Sequence, residues 1–135
     1  MRKETNRQRN DRLYFEVAIW LENILPGEVW SKSTVNHRGG GEEYTFKHDL
    51  MLNKFVKGNR NNFKMDFAIP SMKLCLEING GQWVNGAHNR GGAGYERNLR
   101  KFNMLTACGW TPYAFTYEML DRGEHFEVCK FREEF

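Results

Sequence analysis

The chain has 135 residues and a mass of 16.0 kDa, long enough to close one hydrophobic core without disulfide or metal staples. Hydrophobic residues make up 40% and charged residues 27%, which excludes disorder over the whole length. No stretch approaches the ~20 apolar residues of a membrane-crossing helix, and the basic start lacks the apolar run of a secretory signal. The net charge of +3 is uneven: 17 Lys and Arg stand against 11 Asp and Glu over residues 1–116, and 3 against 6 over residues 117–135.

Residues 1–12, with Arg2, Lys3, Arg7, Arg9 and Arg12, read as a basic N-terminal arm before a single domain over residues 13–135. Asn10 or Asp11 suits the N-cap of a helix from Arg12 to Ile24. Leu13, Val17, Trp20 and Ile24 share one of its faces, and Pro26-Gly27 ends it. Residues 28–36 read as a strand, His37 to Gly41 as a turn, and Glu43 to Phe46 as a short strand. Lys54, Lys57, Arg60 and Lys64, interleaved with two Phe and three Asn, suit a polyanion such as nucleic acid.

Two clear strands follow, Asn62–Ile69 and Lys73–Asn79, joined through Pro70-Ser71-Met72. A glycine-rich loop over residues 80–94 leads into a helix from Tyr95 to Ala107, with Tyr95, Leu99, Phe102 and Thr106 on one face and Gly109 as its stop. Trp110–Thr116 reads as a strand, with Pro112 suiting an edge or its first residues. Residues 117–134 read as an acidic helix broken near Gly123. This order predicts a mixed α/β (α+β) single domain. Cys75, Cys108 and Cys129 are odd in number, contain no CxxC and read as small apolar core residues.

The hairpin over residues 62–79 carries the chemistry. If Ile69 faces Leu74, then Phe67 faces Leu76 and Met65 faces Ile78, all apolar and on one side. The other side pairs Ala68 with Cys75, Asp66 with Glu77 and Lys64 with Asn79. The Asp66 and Glu77 Cβ atoms would then lie roughly 4.5–5.5 Å apart. Opposed carboxylates need a proton, a cation or a metal ion. One resolution is an exposed pair neutralised by Lys64. The other is a hard-cation site for Mg²⁺, with Mn²⁺ as a substitute, built from Asp66, Glu77, the Ile78 carbonyl and water. A third acid is expected from Glu16 on the first helix or from Glu43.

These residues resemble the PD-(D/E)XK nuclease superfamily. The matching elements are the helix with Glu16, the strand ending Met65-Asp66-Phe67-Ala68-Ile69-Pro70, and the strand Leu74-Cys75-Leu76-Glu77-Ile78-Asn79. More narrowly, Glu77 to Trp83, Gly86 to Gly91, Gly94-Tyr95-Glu96, Lys101-Phe102-Asn103 and Gly109-Trp110 are similar to small phage and bacterial endonucleases related to very-short-patch mismatch-repair nucleases. The resemblance implies a restriction-endonuclease-like αβββαβ core, a mixed sheet flanked by helices, and metal-dependent hydrolysis of DNA in the cytoplasm of a prokaryote or a phage-infected cell. Asn79 stands where the superfamily commonly has Lys, Asn98 where relatives are commonly acidic, and Ala114 where Arg is frequent.

In the expected mechanism, a metal held by Asp66, Glu77 and Glu16 lowers the pKa of water and neutralises phosphate charge. Lys101 replaces the missing cation by reaching back toward the sheet. Arg90 grips a phosphate, His88 transfers a proton, and Gln82 orients water. Trp83 stacks on a base or anchors its loop. Lys54, Lys57, Arg60, Lys64 and Arg97 contact the DNA. The chain acts as a monomer or a homodimer, with no membrane partner. The alternative is a DNA-binding module of the same fold that has lost turnover.

Overall fold

The computed structural model describes residues 3–33, 41–47, 62–78 and 93–130. The described residues form a mixed α+β arrangement of four helices and two small sheets. The elements run α1 (Asn6–Ile24), β1 (Tyr44–Lys47), β2 (Asn62–Met65), β3 (Phe67–Ile69), β4 (Leu74–Ile78), α2 (Ala93–Ala107), β5 (Thr111–Phe115), α3 (Tyr117–Asp121) and α4 (Glu124–Cys129). Among the described residues no helix is long and apolar enough to cross a membrane.

The first helix starts earlier than its apolar pattern suggests. Thr5 is the N-cap: its hydroxyl accepts from the Gln8 amide at 3.1 Å, and the Gln8 side chain accepts from the Thr5 amide at 2.9 Å. This reciprocal box satisfies two amides at the helix start. Asn10 and Asp11 therefore lie inside the helix, and most of the expected N-terminal arm is helical. Leu13, Val17, Ala18 and Leu21 form the buried face, with Trp20 only partly covered. The strand expected after α1 is reduced, in its described part, to one bridge between Trp30 and Ala68, made by hydrogen bonds of 2.9 and 3.0 Å.

The hairpin register is observed for three pairs: Ile69 with Leu74, Ala68 with Cys75, and Phe67 with Leu76. The turn between these strands is a 3-10 helix over Pro70–Met72, closed by Lys73 in the left-handed region. Beyond Phe67 the expected ladder does not continue. The chain bends at Asp66, and β2 pairs instead with β1, placing Met65 opposite Tyr44. The expected Met65/Ile78 ladder pair is thus absent; Lys64 pairs with Thr45, and Asn79 lies outside the described residues. The break also moves Met65 across the sheet. Met65 packs with Ala68, Cys75, Leu105 and Trp110, whereas Phe67, Ile69, Leu74 and Leu76 pack against Leu13, Val17, Leu21, Phe115 and Leu120.

The larger sheet has the order β3-β4-β5, with β3 antiparallel and β5 parallel to β4. Helices cover both of its faces, α1 and α3 on one and α2 on the other. The end of α2 fixes its rotation. The Gly109 amide donates to the Thr106 carbonyl at 3.1 Å and the Trp110 amide to the Leu105 carbonyl at 2.8 Å, with Gly109 at φ +85°. That is a Schellman turn, which requires a left-handed residue after the helix. It sets Leu105 into the core and leaves Leu99 45% exposed, so the inward face is not the expected Leu99/Thr106 face. Lys101, one turn before Leu105, shares the inward face. The break at Gly123 between α3 and α4 falls where expected.

Candidate active site

Three sequence-predicted residues converge at one end of the larger sheet. Glu77 follows Cys75 onto the side of β4 covered by α2. Its carboxylate is buried, and the Lys101 ammonium lies 2.7 Å from Oε1; the two side chains are 7% and 13% exposed. Lys101 Nζ also donates to the Lys64 carbonyl at 2.6 Å, which ties α2 to β2. The ammonium is the close partner of the buried Oε1.

Asp66 reaches the same place without a ladder bond. Its Oδ2 accepts from the Ile78 amide at 2.8 Å, and its main-chain carbonyl accepts from the Tyr14 hydroxyl at 3.2 Å. The Ile78 contact shown is thus through its amide, whereas the sequence points to its carbonyl. The bend that breaks the ladder keeps Asp66 beside Glu77. Burial pushes the Glu77 carboxyl up to about 8, against the pull of Lys101, and the nearby Asp66 carboxylate adds to the rise. Burial also pushes the Cys75 thiol up to about 12, with the Glu77 charge contributing. A thiol held that high stays protonated and unreactive.

Glu16 is not part of this group. Its side chain is 55% exposed and pairs with Arg12 one turn earlier at 3.2 Å. A surface ion pair at that spacing keeps both charges hydrated. Glu16 lies on the α1 side of the sheet with Asp121 and His125, whereas Glu77 is on the side covered by α2. Glu43 pairs with Lys32 at 3.4 Å, and its charge reaches the Tyr14 hydroxyl. Among the described residues no group of three or more His, Cys, Asp or Glu could hold a metal ion. The side chains of Lys64 and Arg97 are exposed, on β2 and α2. Lys54, Lys57, Arg60, Gln82, Trp83, His88 and Arg90 lie outside the described residues.

The sequence reading missed two tyrosines. Burial, then the Asp66 charge, raises both the Tyr14 and Tyr117 hydroxyls above their ordinary value. A tyrosine beside the apolar stripe of a core-facing helix is the available signal, because a buried phenol needs a polar partner.

The donor set is compatible with a hard cation. Mg²⁺ is commonly held by one or two carboxylates while water and substrate phosphate fill its other positions. Glu77 offers a buried carboxyl next to a second carboxylate. No protein-family model matches the chain, and no curated protein or solved structure matches it either.

Proposed function

We propose that this protein is a metal-dependent endodeoxyribonuclease built on a restriction-endonuclease-like core, with Asp66 and Glu77 as the Mg²⁺ ligands. The observation that carries this reading is the pair of neighbouring carboxylates with the Lys101 ammonium 2.7 Å from Glu77. A buried acid and a buried base are costly to desolvate, and replacement by apolar residues is often neutral or better. A site that retains both alongside a second acid concentrates the groups that phosphodiester hydrolysis uses.

A bound Mg²⁺ supplies Lewis acidity toward a phosphate oxygen and lowers the pKa of water. The chain's own residues do the rest. The Ile78 amide orients the Asp66 carboxylate. Lys101 comes from α2 and takes the place of the lysine that Asn79 does not provide. Its ammonium would offset negative charge on a phosphate bound there, and the Lys64 carbonyl holds it beside Glu77. Leu105 and Cys75 pack on the same side of the sheet and limit water at the base of the site. The substrate is DNA, and the chain works as a monomer or homodimer in the cytoplasm of a prokaryote or an infected host.

The test is incubation with linear, nicked, mismatched and four-way-junction DNA, with and without Mn²⁺. Metal-dependent cleavage that disappears in Asp66→Ala and Glu77→Ala supports the reading. Cleavage by either variant at the wild-type rate contradicts it. A second reading, a DNA-binding module without turnover, draws on the Lys101 ammonium beside Glu77, which leaves that carboxyl a partner of its own. It expects salt-sensitive DNA binding and no cleavage in either ion.

A further inference from the structure

We infer that Tyr14 is a positioning residue for Asp66: its hydroxyl holds the main chain at the strand break so that the Asp66 carboxylate stays against the end of β4. The catalytic consequence rests on the nuclease reading; the structural consequence rests on geometry alone. Asp66 lies between β2 and β3, which pair in different sheets, and it belongs to neither ladder. A backbone carbonyl in such a place needs a donor from elsewhere. The Tyr14 hydroxyl supplies it at 3.2 Å.

Tyr14 is itself fixed. Its ring packs on Phe67, the first residue of β3, with centroids 4.6 Å apart. Leu13 and Val17 are buried on either side of it along α1, so the helix cannot turn Tyr14 away without exposing them. The Lys32 backbone amide lies beside the same hydroxyl. One phenol oxygen thus joins α1, the segment after Trp30 and the strand break.

The competing arrangement is a straight strand. Continuing the β3–β4 register would pair Met65 with Ile78, return Met65 to the Phe67 side and detach β2 from β1. Two tethers hold the bend against it: Tyr14 on the Asp66 carbonyl, and the Ile78 amide on the Asp66 carboxylate. Loss of the first loosens the second, because both act on one residue.

The experiment compares wild type with Tyr14→Phe, which keeps the ring on Phe67 and removes one oxygen, so that the fold survives. In the metal-free protein, hydrogen exchange of the Ile78 amide is expected to speed up about fivefold to tenfold, the loss of roughly one hydrogen bond. Exchange of the Leu76 amide stays unchanged. Mn²⁺ affinity is expected to fall about tenfold or more, as when an orienting partner of a metal ligand is removed. On DNA, kcat falls while KM holds. Tyr113→Phe, a half-buried tyrosine on β5, leaves all of these unchanged. If Tyr14→Phe keeps wild-type Ile78 exchange, Mn²⁺ affinity and kcat, the inference is overturned while the nuclease reading stands. If Ile78 exchange responds but wild type neither binds Mn²⁺ nor cuts DNA, the tether at the break stands and the nuclease reading falls.

Discussion

Two groups of opposite charges sit on either side of this molecule, and they differ in what water can do for them. On α1, Arg12 meets Glu4 at 2.9 Å, Glu16 at 3.2 Å and Asp121 at 3.9 Å, all on side chains at least 41% exposed. On β4, Glu77 meets Lys101 with both side chains nearly sealed from solvent. The first group has more partners and less at stake. Exposed pairs contribute roughly 0–1 kcal/mol each and are screened by salt. In the second, each charge has lost most of its hydration and depends on the other. Counting ion pairs would rank these regions the wrong way round; burial ranks them by what removing one partner does.

The largest expected effect is on chemistry. Asp66→Ala and Glu77→Ala should each abolish Mn²⁺-dependent cleavage of DNA while far-UV circular dichroism stays native. Lys101→Ala should cost far more activity than Lys73→Ala, since Lys73 is an exposed turn residue. Equal small losses would remove Lys101 from the mechanism.

Stability comes next and bears directly on the comparison. Above the Glu77 pKa of about 8, where both groups are charged, Lys101→Met strands a buried carboxylate and should cost about 3–5 kcal/mol in denaturant unfolding. Arg12→Met should cost far less, and less again at high salt. Similar costs for the two would erase the distinction drawn between them.

The pH dependence separates the regions again. The Glu77 carboxyl sits at about 8 in the fold against 4.5 for its ordinary value. The folded chain therefore holds a proton that the unfolded chain gives up. The resulting stability is whole below 4.5 and is lost as pH rises through about 8. Metal-free protein should melt at progressively lower temperature over that window, and Glu77→Gln should flatten the fall. A smaller effect of opposite sign comes from His125, buried among Trp20, Phe115 and Phe126. Burial lowers its pKa in the fold below the ordinary 6.5. The stability it contributes is present above 6.5 and lost as pH falls through the folded value. His125→Phe should remove that acid-side loss, read from melting temperatures below pH 6.5.

Which parts of this were legible in the sequence follows from what each pattern constrains. The pairing of Phe67–Ile69 with Leu74–Leu76 could be read because a short turn and strict alternation leave one register. The break at Asp66 could not. Met65 is apolar and finds a core on either face, so the pattern is the same whether the strand runs straight or bends. Helix rotation was the second blind spot. Tyr95, Leu99 and Phe102 form a plausible stripe, yet the Schellman turn at Gly109 settles which side enters the core, and it selects Lys101 and Leu105. Glu16 misled for a related reason: a residue beside the apolar stripe can turn either way, and Arg12 one turn back decides it. Lys101 was found from the chemistry the site lacks, a cation where Asn79 stands, and its long stem spans the gap from α2 to β4.

A cation shared between Asp66 and Glu77 is tested most directly by titrating Mn²⁺ into the metal-free protein, followed by the EPR signal of the free ion, in wild type, Glu77→Gln and Glu16→Gln. A single ion should be taken up per wild-type chain, with the same uptake in Glu16→Gln and loss of that site in Glu77→Gln. Equal uptake by wild type and Glu77→Gln, or none by wild type, would contradict a divalent cation shared between Asp66 and Glu77.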